Sequence, residues 1–400
     1  MSRAARRRSL ARPVGAALAL IACGPAPGGP EGGEGGANPP SPSTPGAPER
    51  ATATGPPAAG ATAHSAEVEV RAIATGLDTV WALAFAPDGR LFVTERPGRV
   101  RLLVDGQLRD EPVITLPARQ TAESGLMGLA LDPRFPAEPF LYVMYSYGEG
   151  QRLRNRVARL RLEGTTARED RVLLDDLPGA SIHDGGRVEL GPDGRLYATL
   201  GDAADASLAQ NRDSPAGKIL RLERDGSIPA DNPFPGSPVY TLGHRNVQGL
   251  AWQPGSGRLY ATEHGPVGND EVNLIERGQN YGWPQAQGRE HAAPFRAPLA
   301  VYTPSIAPAG ATFYDADAIA QWRGSFFFAT LRGTHLHRIV FDGNEPGRIL
   351  AEEQLYAGTY GRLRDVAQGP DGALYLATSN RDGRGNPRPE DDRILRIGPR

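Results

Sequence analysis

One phrase recurs through most of this chain and leaves little freedom in the fold. Small and apolar residues lead into a Pro-Asp-Gly-like turn, and then Arg-Leu-aromatic opens a second apolar run. It reads WALAFAPDGRLFVTE from Trp81, GLMGLALDPRFPAEPFLYVMY from Gly125, GRVELGPDGRLYATLGD from Gly186, GLAWQPGSGRLYATEHG from Gly249 and DVAQGPDGALYLATS from Asp365. A degenerate copy, GATFYDADAIAQWRGSFFFATL, runs from Gly310. Each copy reads as a hairpin, with Val, Leu, Tyr and Phe in the strands and Pro and Gly confined to the turns. The spacing is that of four-stranded propeller blades, and Val100–Val104, Val157–Leu162, Lys218–Leu222 and His335–Phe341 supply further strands. Helical periodicity is nearly absent. The reading is all-β: a six-bladed β-propeller of four-stranded antiparallel sheets. A sandwich would explain the strands but not their regular repetition.

The repeat covers only part of the 400 residues. Arg3, Arg6, Arg7, Arg8 and Arg12 form a basic head before an apolar run from Val14 to Ala22, the pattern of a secretory signal too short to span a bilayer permanently. Leu20-Ile21-Ala22-Cys23 has the form of a bacterial lipobox, so residues 1–23 are read as a lipoprotein signal, with Cys23 lipidated. Cys23 is the single cysteine, which excludes an intramolecular disulfide. Residues 24–66 are mostly Gly, Pro, Ala, Ser and Thr and bury too little apolar surface to fold, so they form a tether. Residues 67–400 are then one large domain. With 44 basic against 46 acidic residues and no basic stripe among aromatics, nucleic acid is not an expected partner. The membrane is reached only through the lipid on Cys23, at the periplasmic or extracellular face of the bacterial cell envelope.

A propeller gathers the ends of its inner strands around a central channel, so polar residues at those ends should meet there. The densest stretch is Tyr240 to Tyr281, with Gly243, His244, Arg245, Asn246 and Gln248 before one hairpin and Glu263, His264, Gly265, Pro266, Asp270 and Glu271 after it. Arginine offers a fork of donors to carboxylates, and a Gly-Pro turn leaves carbonyls free for a hard cation such as calcium. Ordinary connecting loops are the alternative.

In SIHDGGRVELGPDGRLYATLGD the strands run out and back, which brings Asp202 beside His183. A carboxylate against an imidazole fixes its tautomer and raises its proton affinity, as a general base requires. Arg362 and Arg364 alternate at a strand entrance and share a face. With Arg245 and Arg332 they would repel one another unless an anion of several charges lay between them. Surface arginines paired with Asp365 and other acids are the other reading.

These residues resemble the soluble quinoprotein sugar dehydrogenases, which use pyrroloquinoline quinone (PQQ), and most nearly the bacterial aldose sugar dehydrogenases of the glucose/sorbosone dehydrogenase family. The resemblance spans the folded part and rests on KILRLERDGSIPADNPF, YTLGHRNVQGLA, EHGPVGNDEVNLIERGQNYGWP, TPSIAPAGATFY and RLRDVAQGPDG, in that order. It implies that His183 takes the anomeric hydroxyl proton with Asp202 as its partner. It also implies that Arg245, Asn246, Arg362 and Arg364 bind the quinone, with Gln248 in support. The carbonyls of Gly265 and Pro266 would hold a calcium that touches the cofactor, and the Glu271 carboxylate and Tyr281 carbonyl a second, structural calcium. The chain departs from the family at two cofactor positions. Glu123 stands where a glutamine is usual, repulsive to an anionic quinone unless protonated or paired with an arginine. Arg332 replaces a lysine, keeping the charge at a different distance and angle.

The expected activity is oxidation of the C1 hydroxyl of an aldose to its lactone, with hydride passing to the quinone and electrons onward to an external acceptor in the cell envelope. Two rivals share the fold: a calcium-dependent lactonase, and a propeller that binds without a cofactor.

Overall fold

The computed structural model describes residues 67–400 with 150, 151, 290 and 292 excepted. The expected leader, Cys23 and the tether lie outside the described residues. Among the described residues no helix is long and apolar enough to cross a membrane; the helical content is two short 3-10 turns, Ala206–Ala209 and Ala320–Trp322.

The strands form six antiparallel sheets around one axis, and each recurring phrase supplies the two innermost strands of one sheet. In blade order these pairs are Val80–Phe85 with Leu91–Glu95, Leu126–Leu131 with Phe140–Glu149, Val188–Leu190 with Leu196–Leu200, Val247–Trp252 with Leu259–Glu263, Pro308–Phe313 with Phe326–Thr330, and Leu363–Gln368 with Leu374–Thr378. The outer position of the first blade is shared by two short strands, Gln107–Leu108 and Ile114–Thr115, rather than filled by one. The outer strand of the sixth blade comes from the other end of the domain: Val68–Ala74 pairs with Ile394–Pro399, register Val70 to Ile397, and closes the ring. Completing the last sheet with the first strand locks the two ends of the domain together.

The second strands LFVTE, LYATL, LYATE, FFFAT and LYLAT are buried at every position. Sandwiched between neighbouring blades, they need apolar side chains on both faces, hence continuous rather than alternating runs. Their recurrent Thr has a separate purpose. Thr94 Oγ1 accepts the Ala82 N–H at 3.0 Å and donates to Met127 O of the next blade at 2.6 Å. Thr199 repeats this between Arg187 N and Val247 O, and Thr262 donates to Ala309 O. These three hydroxyls each staple their blade to the next with a buried hydrogen bond, whose loss costs about 1–3 kcal/mol when a partner is left bare. Thr330 and Thr378 instead bond within their own blades.

In five blades the inner strand slips register near its leading end, between Val80 and Ala82, Leu126 and Leu129, Val247 and Gly249, Pro308 and Ala311, and Leu363 and Asp365. Bulges re-aim side chains. Trp81, Gln248 and Arg364 are residues skipped in this way, and they meet at the axis: Arg364 Nη1 donates to Gln248 Oε1 at 2.6 Å, and its guanidinium lies 5.6 Å from the Trp81 ring centroid.

Candidate active site

At the end of the channel where inner strands begin and second strands finish lies a cavity of about 440 Å3. Because every hairpin turn points the other way, this end receives both flanks of every repeat. Ten expected site residues line it: Glu123, His183, Arg245, Asn246, Gln248, Gly265, Pro266, Arg332, Arg362 and Arg364. Asp202 stands behind His183. Glu271 and Tyr281 lie outside this cavity and border a separate one of about 20 Å3, which shares Arg245, Gly265 and Pro266 as a wall. Arg96, His264, Asp382 and Arg384 also line the main cavity without having been singled out as ligands. Two of them follow a rule of the repeat: Arg96 and His264 stand two residues after Thr94 and Thr262, where Arg332 stands after Thr330.

His183 Nδ1 lies 2.8 Å from Asp202 Oδ1. Asp202 is fixed in turn, by Trp283 Nε1–H on Oδ2 at 2.9 Å and by the Ala204 N–H on Oδ1. A carboxylate at Nδ1 places the neutral ring's proton there and leaves Nε2 as the basic atom. The histidine takes φ 61°, and a Cβ on Gly201 would come within 2.0 Å of its carbonyl oxygen. The glycine is what lets the loop close on this geometry.

Six arginines face the cavity, Arg96, Arg245, Arg332, Arg362, Arg364 and Arg384, against two carboxylates, Glu123 and Asp382. Asp382 is taken by Arg362 at 2.7 Å. Burial pushes the Arg364 guanidinium down to about 9, with Arg96 and Arg362 adding to the effect against Asp382. Arg245 Nη1 donates to Gly265 O at 2.8 Å and to His264 O at 3.2 Å. Three donors at this site are buried with no acceptor: Arg245 Nε, Asn246 Nδ2 and Arg364 Nε. Orphaned donors and unneutralised cations both fit an anionic, hydrogen-bonding ligand such as a polycarboxylate quinone.

Glu123 does not remain an open repulsive charge. Burial opposes its ionisation, but the Arg384 ion pair and the His183 N–H outweigh it and hold the carboxyl below the usual carboxylate range. His264 itself is pushed down by burial, and its Nε2 lies 2.8 Å from Pro308 O.

The donor set for a cation is mainly main-chain. Asp270 ties the 265–269 loop to the 305–307 segment, taking Gly265 N on Oδ1 and Ile306 N and Ala307 N on Oδ2. Gly265 O already gives one lone pair to Arg245. Among the described residues no three His, Cys, Asp or Glu side chains are grouped to hold a metal. At the smaller cavity Glu271 accepts from Gly288 N at 3.0 Å and Asn273 Nδ2 at 3.1 Å. Burial, with Glu263 nearby, pushes it up to about 8. A buried carboxyl so placed favours a proton or a bound cation.

The family model described as glucose/sorbosone dehydrogenase matches residues 77–395. A solved oxidoreductase (glucose dehydrogenase) of Thermus thermophilus is 47% identical, covering 82% of this chain and 99% of its own, with TM-score 0.76. The PQQ-bound aldose sugar dehydrogenase of Streptomyces coelicolor is 38% identical over 83% of this chain and 98% of its own, with TM-score 0.75. The aldose sugar dehydrogenase of Escherichia coli is 31% identical over 84% of this chain and 95% of its own. A family match over residues 77–395 and likeness of this extent settle the lineage: the chain belongs to the glucose/sorbosone dehydrogenase family.

Proposed function

We propose that this protein oxidises the C1 hydroxyl of aldose sugars to lactones, dependent on PQQ and calcium. The observation that carries the reading is the set of buried donors without acceptors, Arg245 Nε, Asn246 Nδ2 and Arg364 Nε, set around a cavity that also presents the His183–Asp202 pair. When bound, the quinone supplies the acceptor for the hydride and calcium a Lewis acid beside it. Arg245, Arg362, Arg364 and Asn246 hold the anionic cofactor, with Gln248 fixing Arg364 and Arg332 adding a cation at the wall. The carbonyls of Gly265 and Pro266 take the calcium at the cavity, and Glu271 with the Tyr281 carbonyl takes the second. His183 Nε2 accepts the sugar hydroxyl proton, while Asp202 keeps Nδ1 protonated and stabilises the imidazolium that forms. The same arginines offset negative charge gained in the cavity.

A cofactor-free binding propeller would not need so many unneutralised cations, and the pairing of Glu123 with Arg384 removes the repulsion that favoured it. A lactonase would need side-chain oxygens converging on one metal. With Cys23 lipidated, the enzyme sits at the bacterial cell envelope and passes electrons to an external acceptor there.

The test is an absorbance titration of calcium-loaded apoprotein with PQQ, followed by an aldose. Stoichiometric binding and reduction of the bound quinone on sugar addition are expected, and chelation should release quinone and lower the melting temperature together. Tight quinone binding with no reduction by any aldose overturns the reading, and equal affinity with and without calcium removes the role given to Gly265 and Pro266.

A further inference from the structure

Glu123 is an anion at the wall of a site for an anionic cofactor, and both its oxygens are turned to donors of the protein itself. Oε1 accepts from Arg384 Nη1 at 2.8 Å, and Oε2 accepts the main-chain N–H of His183 at 3.2 Å. The residue is also held from behind. Arg96, only 2% exposed, donates from Nε and Nη2 to Ser124 O and from Nη2 to Ala122 O, gripping the carbonyls on either side of Glu123. The Glu123 N–H donates to Ser181 O at 2.8 Å, so the segments around Glu123 and His183 are stitched by main chain and side chain together. Ala122 takes φ 42° within this turn. An L-residue there costs of order 1 kcal/mol or more and persists only where its surroundings over-determine it.

The other arm crosses the mouth. Arg384 stands on the loop that follows Leu374–Thr378 in the sixth blade, whereas Glu123 precedes the inner strand of the second. The inner strand of the first blade abuts both neighbours, so the ion pair spans the first blade's sector of the cavity rim. The Arg384 side chain is 55% exposed and that of Glu123 17%, as expected for a rim pair anchored at its acidic end. Two residues before Arg384, Asp382 takes Arg362 at the cavity wall, which ties the same loop to the cationic array.

We propose that Glu123 is a positioning residue that holds the His183 backbone and latches the Asp382–Arg384 loop across the mouth, instead of binding the cofactor. The main-chain bond matters because His183 sits in the left-handed region, where its own conformational preference would move it. A base displaced by a fraction of an ångström loses rate without losing ligand affinity. The loop arm acts on access, so it belongs to substrate entry and not to the chemical step. The kinetic arm of the test rests on the proposed dehydrogenase reading; the exchange arm does not.

Hydrogen exchange on the calcium-loaded apoprotein comes first. Glu123→Ala should speed exchange of the His183 amide and of residues 379–386 by about tenfold or more, the loss expected for a charge-assisted bond. Arg384→Ala, at a half-exposed position that does not endanger folding, should speed only residues 379–386. On the quinone-loaded enzyme, Glu123→Ala should lower kcat about 10–100-fold with quinone affinity within about threefold of wild type, and Glu123→Gln should recover part of the loss. Arg384→Ala should change KM more than kcat. The proposal is overturned if His183 exchange is unchanged in Glu123→Ala, or if that variant loses quinone affinity at least tenfold while keeping kcat. If the wild type proves not to bind quinone, the exchange experiment still decides the latch.

Discussion

The two ends of the central channel are made from the same six inner strands, yet they differ in nearly every property that matters for chemistry. The far end is bordered by the Pro-Asp-Gly-like turns and by strand residues such as Leu83–Phe85, Leu129–Leu131 and Leu250–Trp252, around a funnel of about 570 Å3. There the strand register runs without interruption. At the near end the strands bulge, turn Trp81, Gln248 and Arg364 inward, and meet loops that carry arginines, His183 and the carbonyl-rich Gly265–Asn269 segment. Between the ends, Arg187 pairs with Asp365 at 2.9 Å, both side chains 3% exposed, with the guanidinium 4.6 Å from the Trp81 ring centroid. The plug keeps the ends apart. A tight turn spends its residues on backbone geometry, since Pro and Gly are there for φ, whereas a loop entering a bulge is free to vary its side chains. Function therefore accumulated at one end.

The contrast breaks most sharply at the proposed general base. His183→Gln should keep quinone binding and lose about two to four decades of turnover, the usual share of a positioned base. Glu189→Gln at the far funnel should leave turnover within about twofold, as for a surface-like substitution away from the chemistry. Stopped-flow reduction of bound quinone by an aldose measures both without an electron acceptor. Wild-type rates in the His183 variant would remove it from the mechanism.

A smaller effect separates holding from chemistry within the near end. Arg364 is buried and cationic, and its Nε has no acceptor. Arg364→Gln should weaken quinone affinity about 10–100-fold, the value of one or two charge-assisted hydrogen bonds. Equal affinity would mean that Arg364 serves only the Trp81–Gln248 floor and that the orphaned donor is not a ligand position.

Much of this contrast can be read from the chain alone, and the limits are physical. The repeat identifies the hairpins because strands buried on both faces must be continuously apolar and their turns must carry Pro and Gly. The His183–Asp202 pairing follows from strands that go out and return the same distance. Bulges are harder: nothing in LRDVAQ announces that Arg364 is skipped in the pairing, since a bulge is decided by the neighbouring strand. The closing strand Val68–Ala74 is not announced by the repeat either, because it completes a blade whose phrase lies at the other end of the domain. Glu123 and Arg384 are 261 residues apart in sequence, and only the closed ring brings the oxygen to the guanidinium. Residue type pointed to repulsion there, and geometry turned it into an ion pair.

The mildest test asks how far the far funnel shields Glu189 from water. Glu189 stands in it with no hydrogen bond to its carboxylate among the described residues and with Arg187 3.8 Å away. Burial pushes this carboxyl up to about 8 from an ordinary 4.5, opposed by Arg187 and assisted by Asp365. A carboxyl raised in the folded state keeps a proton that the unfolded chain has already released. Its contribution is therefore fully present below about pH 4.5 and is lost as pH rises toward 8. Glu189→Gln cannot ionise and should escape that loss. The two melting curves should run parallel below pH 4.5, separate in favour of the variant between there and pH 8, and stay separated above. About a third of the side chain remains accessible, at 32%, so water tempers the effect. A divergence of about 1–3 °C is what a fraction of that linkage produces in a domain of this size. Curves that stay parallel across the whole range would mean that Glu189 ionises freely in water. The far end would then be as wet as the near one, and the absence of chemistry there would rest on its missing cations and base alone.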